Sequence, residues 1–285
     1  MAIKGINTAP ILQNNKFFLM AFKFCDANKQ ERLFFMQIST LIDFLIVLRH
    51  SSLRIGQRLA MQGEEFKMKL LADNEALATN IPVITQAEVT QPDPGFLVTS
   101  IAPKLAEDRF SLIVCLHNEH VITLEIDDTQ AEFILLAVKK AIEFVKDEEA
   151  LRTIGAFMSF ILLYDVNLTD ISNLKYNELK HDQWKQQFFC NYLAILYCFE
   201  TEQGKQLLSG NVIKINSDPN SPEVQALLQL IATMSPTTKA LREKYSLCDT
   251  LTRVINAPSA KALTKDECLR ALHTFCIETK VNPGQ

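Results

Sequence analysis

The sequence predicts an α+β protein: two hairpin-then-helix (ββα) units in an N-terminal domain, then a second α+β lobe with one hairpin and several helices. Three observations carry this. Apolar runs at 17–24 and 31–38, and again at 110–117 and 119–126, are separated by short polar stretches. Both pairs lead into segments of helical periodicity. A third pair, at 191–200 and 205–216, flanks the turn TEQG.

The first unit contains LFFMQISTLIDFLIVL (33–48), with Asp43 as its only charge. A membrane-spanning helix needs about 18–20 apolar residues. Only ten uncharged residues precede Asp43, so the run reads as a strand and a helix meeting near Ser39–Thr40. The second copy sets the period: His120, Ile122, Leu124 and Ile126 alternate with Val121, Thr123 and Glu125, as in a half-buried strand. Glu31 aligns with Glu119, Ile38 with Ile126, and Phe44 with Phe133 after one extra residue. Thr40-x-x-Asp43 and Asp127-x-x-Gln130 are matching helix starts. Leu41, Leu45, Leu48, Ser52, Ile55 and Leu59 then step by fours and threes, a seam able to pack against a helix. Continued past Gly63 through Phe66, Leu70 and Leu77, it predicts one helix near 40–79.

The stretch 81–95 holds Pro82, Pro92, Pro94 and Gly95 and reads as a connecting loop. The duplicated domain spans 1–148 and the second lobe 149–285. In the lobe, EALRTIGAFMSFILLY predicts a buried helix, DVNLTDISNLKYNELKHDQ a surface loop, and 188–216 a hairpin turning at Gly204. Ser221-Pro222 opens a helix with Val224, Leu227, Leu228 and Ile231 inward. Further helices are expected over about 237–256 and from the capping box Thr264-x-x-Glu267, before a frayed tail VNPGQ.

Composition narrows the function classes. With 29 basic against 33 acidic residues the net charge is −4, so no global field draws the chain to nucleic acid or an anionic bilayer. Seven cysteines, an odd count, and an opening without a signal peptide's basic and apolar regions predict a reducing cytoplasm. Cys268, His273 and Cys276 do not converge on one helix, and read as core cysteines beside a histidine rather than a metal site. His117 and His120 flank a turn and form no closed ligand set. No GxSxG, P-loop, HExxH or GxGxxG motif occurs, so no catalytic, metal or cofactor residue is assigned.

Three candidate surfaces remain. The seam of Leu41, Leu45, Leu48, Ile55 and Leu59, or an exposed strand edge, would serve a protein partner or a second copy. Arg49, Arg54 and Arg58 form a basic stripe that would serve nucleic acid. His181, Asp182 and Trp184 stand at the entrance of an apolar strand, where a cleft with a Cys/His site could form.

The opening MAIKGINT, the following KFFLMAFKF, and the later HDQW…TEQG…VIKI resemble the enterobacterial YjeJ-type proteins across the first two-thirds of the chain. The resemblance implies a bacterial cytosolic setting and transfers no catalytic residue. The expected function is therefore a non-catalytic intracellular binding or assembly protein. Nucleic-acid binding is the alternative, and an enzyme using the 181–184 loop the second alternative.

Overall fold

The charge-poor run at 33–48 is two elements, a strand ending at Met36 and a helix beginning at Ile38. Their junction is Gln37, whose extended backbone caps the helix. Thr40 does not cap it; its hydroxyl donates to the Gln37 carbonyl at 3.1 Å. The computed structural model describes residues 1–171, 173–219, 221–257 and 262–281, in two units, Met1–Met158 and Ser159–Gln285. The fold is mixed α and β, with eight helices and three antiparallel sheets among the described residues.

The first unit begins with an antiparallel meander, β1 (Gly5–Gln13), β2 (Lys16–Cys25) and β3 (Glu31–Met36), followed by α1 (Ile38–Thr79). Phe22 and Phe24 stack on one face of β2, Phe34 lies across from them on β3, and Phe44 of α1 meets Phe22 edge-on at 5.3 Å. That aromatic cluster accounts for a β2 buried along nearly its whole length. Lys23 is tolerated in it because Glu88 and Glu31 lie 2.9 and 3.0 Å from its ammonium. Burial pulls the Lys23 pKa down, yet these carboxylates carry it above its ordinary value.

α1 is not continuous. At Gly63 the backbone takes φ 61°, ψ −138°, a conformation open to glycine, and the helix breaks into two segments. The second returns beside α3 (Asp128–Glu143): Lys69 pairs with Asp127 at 2.6 Å, and Thr129 donates to Asp73 at 2.6 Å. Between them, 81–95 is not all loop. Thr85 and Glu88 form a capping box for a short α2 (Gln86–Thr90), bracketed by the prolines without including one.

A second meander, β4 (Val98–Leu105), β5 (Arg109–Leu116) and β6 (Val121–Asp127), leads into α3, whose Asp127–Gln130 capping box forms as the spacing predicts. Ile134, Val138, Ala141 and Ile142 are its buried face, whereas Phe144, just past the last turn, is exposed. β1 and β4 escape sequence reading because each holds a proline and mixed polarity (Pro10, Pro103), which edge strands accept. The unit closes with α4 (Glu148–Phe157), capped by Asp147.

The second unit is an antiparallel sheet of β7 (Phe160–Asn167), β8 (Lys175–Glu178), β9 (Asn191–Thr201), β10 (Gly204–Ile215) and β11 (Ser246–Ile255), in the order β11-β9-β10-β7-β8. α5 (Gln183–Gln187), α6 (Pro222–Met234), α7 (Pro236–Arg242) and α8 (Lys265–Val281) complete it. The β9–β10 hairpin turns at Gly204, with φ 93°. Two sequence expectations fail here. The helix expected over EALRTIGAFMSFILLY stops at Phe157, and the apolar run beyond it is β7, buried between β10 and β8. A short apolar run has no period to separate strand from helix. Likewise 237–256 is α7 and then β11, where Thr250, Thr252 and Val254 favour extended backbone. β8 emerges in the expected surface loop, and the expected tail at 282–285 lies outside the described residues.

The two faces of this sheet are covered differently. Under α8, Gly210 leaves no room for a side chain: a Cβ there would stand 2.8 Å from the Ile195 carbonyl and 3.2 Å from Leu272. Under α7 the layer is polar. Asp165, fully buried on β7, accepts from Asn211 (3.1 Å), the Ser235 hydroxyl (2.7 Å) and both the amide and hydroxyl of Thr237 (2.9 and 2.8 Å). Ser235 also caps α7 through the Thr238 amide. Asp165→Ala leaves these donors buried without their acceptor, and is expected to destabilise the protein by about 3–5 kcal/mol, as breaking a buried charged network does. Urea unfolding followed by circular dichroism measures it.

Candidate functional site

The seam of α1 lies inside the first unit. Leu41, Leu45, Leu48 and Ile55 are buried and Leu59 half-buried, in a helix packed on α3. The basic stripe is likewise engaged by its own unit. Arg49 donates to the Met158 carbonyl at 3.0 Å. Arg54 donates to the Ala106 carbonyl (2.7 Å) and to Asp128 (2.6 Å), and Arg58 stacks on Phe66 (4.4 Å) with Asp128 at 3.5 Å. Asp128 is fully buried and also takes a hydrogen bond from Ser51, so Ser51, Arg54 and Arg58 clasp α1 to the first turn of α3.

At the 181–184 loop, His181 Nε2 lies 2.7 Å from the Leu162 carbonyl, Asp182 stands before α5 without capping it, and Trp184 packs edge-on against Phe188 at 5.5 Å. Sequence reading missed the charge beside them. Lys214 of β10 is buried, donates to the Gln186 carbonyl at 2.5 Å and lies over the Tyr192 ring at 4.7 Å. Burial pushes its pKa down. Among the described residues, no three His, Cys, Asp or Glu side chains are grouped to hold a metal ion, and no helix is long and apolar enough to cross a membrane.

The feature that remains open is β11. This ten-residue strand ends the sheet, pairs with β9 on one side, and among the described residues pairs with nothing on the other. Its side chains are exposed or half-buried throughout. Arg253 is fixed by Glu278 at 2.5 Å and by the Phe275 ring of α8 at 4.2 Å. Asp249 points its charge toward solvent, its carboxylate accepting from the Thr250 amide.

The ladder to β9 slips between Leu247 and Asp249, leaving Cys248 as the extra residue of a bulge. Cys248 is exposed and donates to the Cys198 carbonyl at 3.3 Å. It also lines a cavity of about 700 Å³, beside Arg242, Lys244 and Tyr245. The Cys198 thiol is pushed up to about 11, first by burial and then by its hydrogen bond with Cys248. The alternation Thr250, Thr252, Val254 was the signal for this edge. No spacing marks the thiols, which are fifty residues apart and meet only through the strand pairing.

These features define a class: a mixed α and β chain whose second unit carries a long unpaired strand edge and a thiol pair. The profile of the YjeJ-like family matches residues 1–282, and the chain belongs to that family. It is 30% identical to the protein called "Uncharacterized protein YjeJ" of Escherichia coli (strain K12), over 98% of this chain and 96% of that one. No solved structure matches it.

The clasp has a pH signature. Burial first, then the Arg54 guanidinium, hold His50 below its ordinary 6.5, against an opposing pull from Asp128. Below that value the unfolded chain binds the proton that the folded state resists, so the protein loses stability as pH falls through 6.5 toward the lowered pKa. His50→Gln is expected to lose less stability than the parent between about pH 7 and 5, as urea midpoints measured across that range would record.

Proposed function

We propose that the chain is a non-catalytic binding and assembly protein that pairs β11 with β11 of a second copy. The observation that carries this is a ten-residue edge strand, rich in β-branched residues, with one side unpaired among the described residues. Such an edge is a template for another strand, and a twofold axis lets one surface satisfy itself.

The sequence of β11 is self-complementary. With Leu251 facing its twin, each Asp249 comes opposite the partner's Arg253 and Thr250 opposite the partner's Thr252, all within the regular segment beyond the bulge. Opposite charges and β-branched residues directly across a ladder each favour pairing by about 0.2–1 kcal/mol. The five strands of each copy would then form one continuous sheet. The basic stripe gives nucleic-acid binding less support, because Arg54 and Arg58 are committed to Asp128.

Two further parts of the reading stand with the proposal. A cytoplasmic setting is supported by all seven cysteines being free thiols. Duplication of the first unit is supported by the two meanders, each followed by a helix. The last strand of each meets in parallel the residues entering the first strand of the other, Phe35 at Leu97 and Glu125 at Ala2.

Light scattering at micromolar concentration is expected to give twice the chain mass of 32.3 kDa. Leu251→Lys, which sets two ammonium groups face to face across the twofold axis, is expected to return a folded monomer. A parent protein that runs as a monomer throughout that range overturns the proposal.

A further inference from the structure

We infer that Cys248 and Cys198 form a two-thiol oxidation site that takes a hydroperoxide and closes to an intramolecular disulfide. Cys248 is the exposed bulge residue of β11, and Cys198 is its buried neighbour on β9. The ladder sets Asp249 opposite Cys198, and the bulge places Cys248 beside Asp249 against the same residue. Directly opposed residues of an antiparallel pair have Cα atoms about 4.5–5.5 Å apart, inside the span of about 4.4–6.8 Å that a disulfide bridges. The Cys248 thiol already reaches this residue, donating to the Cys198 carbonyl at 3.3 Å.

The reactants have separate roles. Cys248 opens on the cavity of about 700 Å³, which admits a small oxidant, with the cations of Arg242 and Lys244 and the carboxylates of Glu243 and Asp249 along the same lining. Its thiolate attacks one oxygen of the hydroperoxide. The O–O bond breaks, the other oxygen, which carries the organic group (or hydrogen, in hydrogen peroxide), leaves as an alcohol (or water) after taking a proton, and Cys248, now bonded to the terminal OH, becomes a sulfenic acid. The Cys198 sulfur then attacks the sulfenic sulfur, the S–O bond breaks, and water departs with the Cys198 proton. In sum two thiols lose two electrons and two protons, and one peroxide bond is reduced. Cys198, buried with its pKa raised, is the slower thiol toward solvent oxidants and acts as the resolving partner. The product ties the edge strand to β9 at the bulge and needs no second copy, so it stands or falls apart from the assembly of β11.

The test uses the full chain, treated with hydrogen peroxide, alkylated, and digested without reduction for mass spectrometry. The expected result is a peptide linking Cys198 to Cys248, in a protein lighter by two hydrogens and restored by dithiothreitol. Because the second thiol is held in place, the sulfenic acid at Cys248 should close to this link instead of persisting, whereas exposed Cys190 should give no link to Cys198. In Cys198→Ser the reaction should stop at a Cys248 sulfenic acid, trapped by dimedone in severalfold greater yield than in the parent. In Cys248→Ser, Cys198 should stay reduced. The inference is overturned if the parent yields Cys248 sulfinic acid without the link, if only Cys248-to-Cys248 dimers appear on non-reducing gels, or if Cys198 is linked to Cys190 as readily as to Cys248.

Discussion

An open sheet leaves two rows of backbone donors and acceptors unpaired, and the arrangement of the second unit follows from how each row is handled. At one end β8 is four residues long, fully exposed, and carries Lys175 and Glu178, a short charged edge that offers little to a passing strand. At the other end β11 runs ten residues and carries leucine, threonine, valine and isoleucine. Charge and irregularity restrain it instead of brevity: Asp249 and Arg253 project from it, and the bulge at Cys248 interrupts it. On the proposed pairing, an edge left long but furnished with fixed charges would discriminate among partners, since a strand lacking the complementary charges would meet like charge or bury an unpaired one.

Keeping that edge straight requires a rigid sheet behind it, and polar anchors supply much of the rigidity. Asp165 ties β7 and β10 to the start of α7 through four hydrogen bonds. The first unit uses the same device twice. Asp128 clasps α1 to α3, and Lys23 joins β2 to β3 and α2 through Glu31 and Glu88. In each case a buried charge stands where a helix start or strand edge supplies its partners, so desolvation is offset by bonds that also fix the helix position. Lys214 differs: its hydrogen bond runs to a main-chain carbonyl and its other neighbour is an aromatic face.

What the sequence made legible follows from where a pattern has a period. β2, β3, β6, β9, β10, the capping boxes of α3 and α8, and the existence of a junction inside 33–48, though not its place at Gln37, were readable, because alternation, apolar length or a capping pair marks each. β7 reads as helix in sequence, since FILLYDVN is buried on both faces and buried strands do not alternate. β11 reads as helix for the opposite reason: being exposed on both faces, it shows little contrast beyond its β-branched residues. The leucine seam of α1 was read correctly as an apolar stripe, but a stripe does not say whether it faces α3 or a partner. Arg54 and Arg58 were visible as charges, while Asp128, their common acceptor, lies seventy residues away or more.

The bulge at Cys248 links the two readings of the second unit. An inserted residue in an edge strand breaks the regular row of outward groups, which limits strand addition to the segment from Asp249 onward. In the proposed pairing that segment has Leu251 at its centre and sets Asp249 opposite Arg253. The same insertion turns an extra side chain toward the neighbouring strand, and because that side chain is a cysteine opposite a cysteine, an edge-limiting irregularity also becomes a reactive pair. A disulfide there would fix the bulge without altering residues 250–255, so oxidation would define the end of the pairing segment more sharply and leave its centre unchanged. The two proposals thus share a boundary in the sequence, and a perturbation at Leu251 should be separable from one at Cys248.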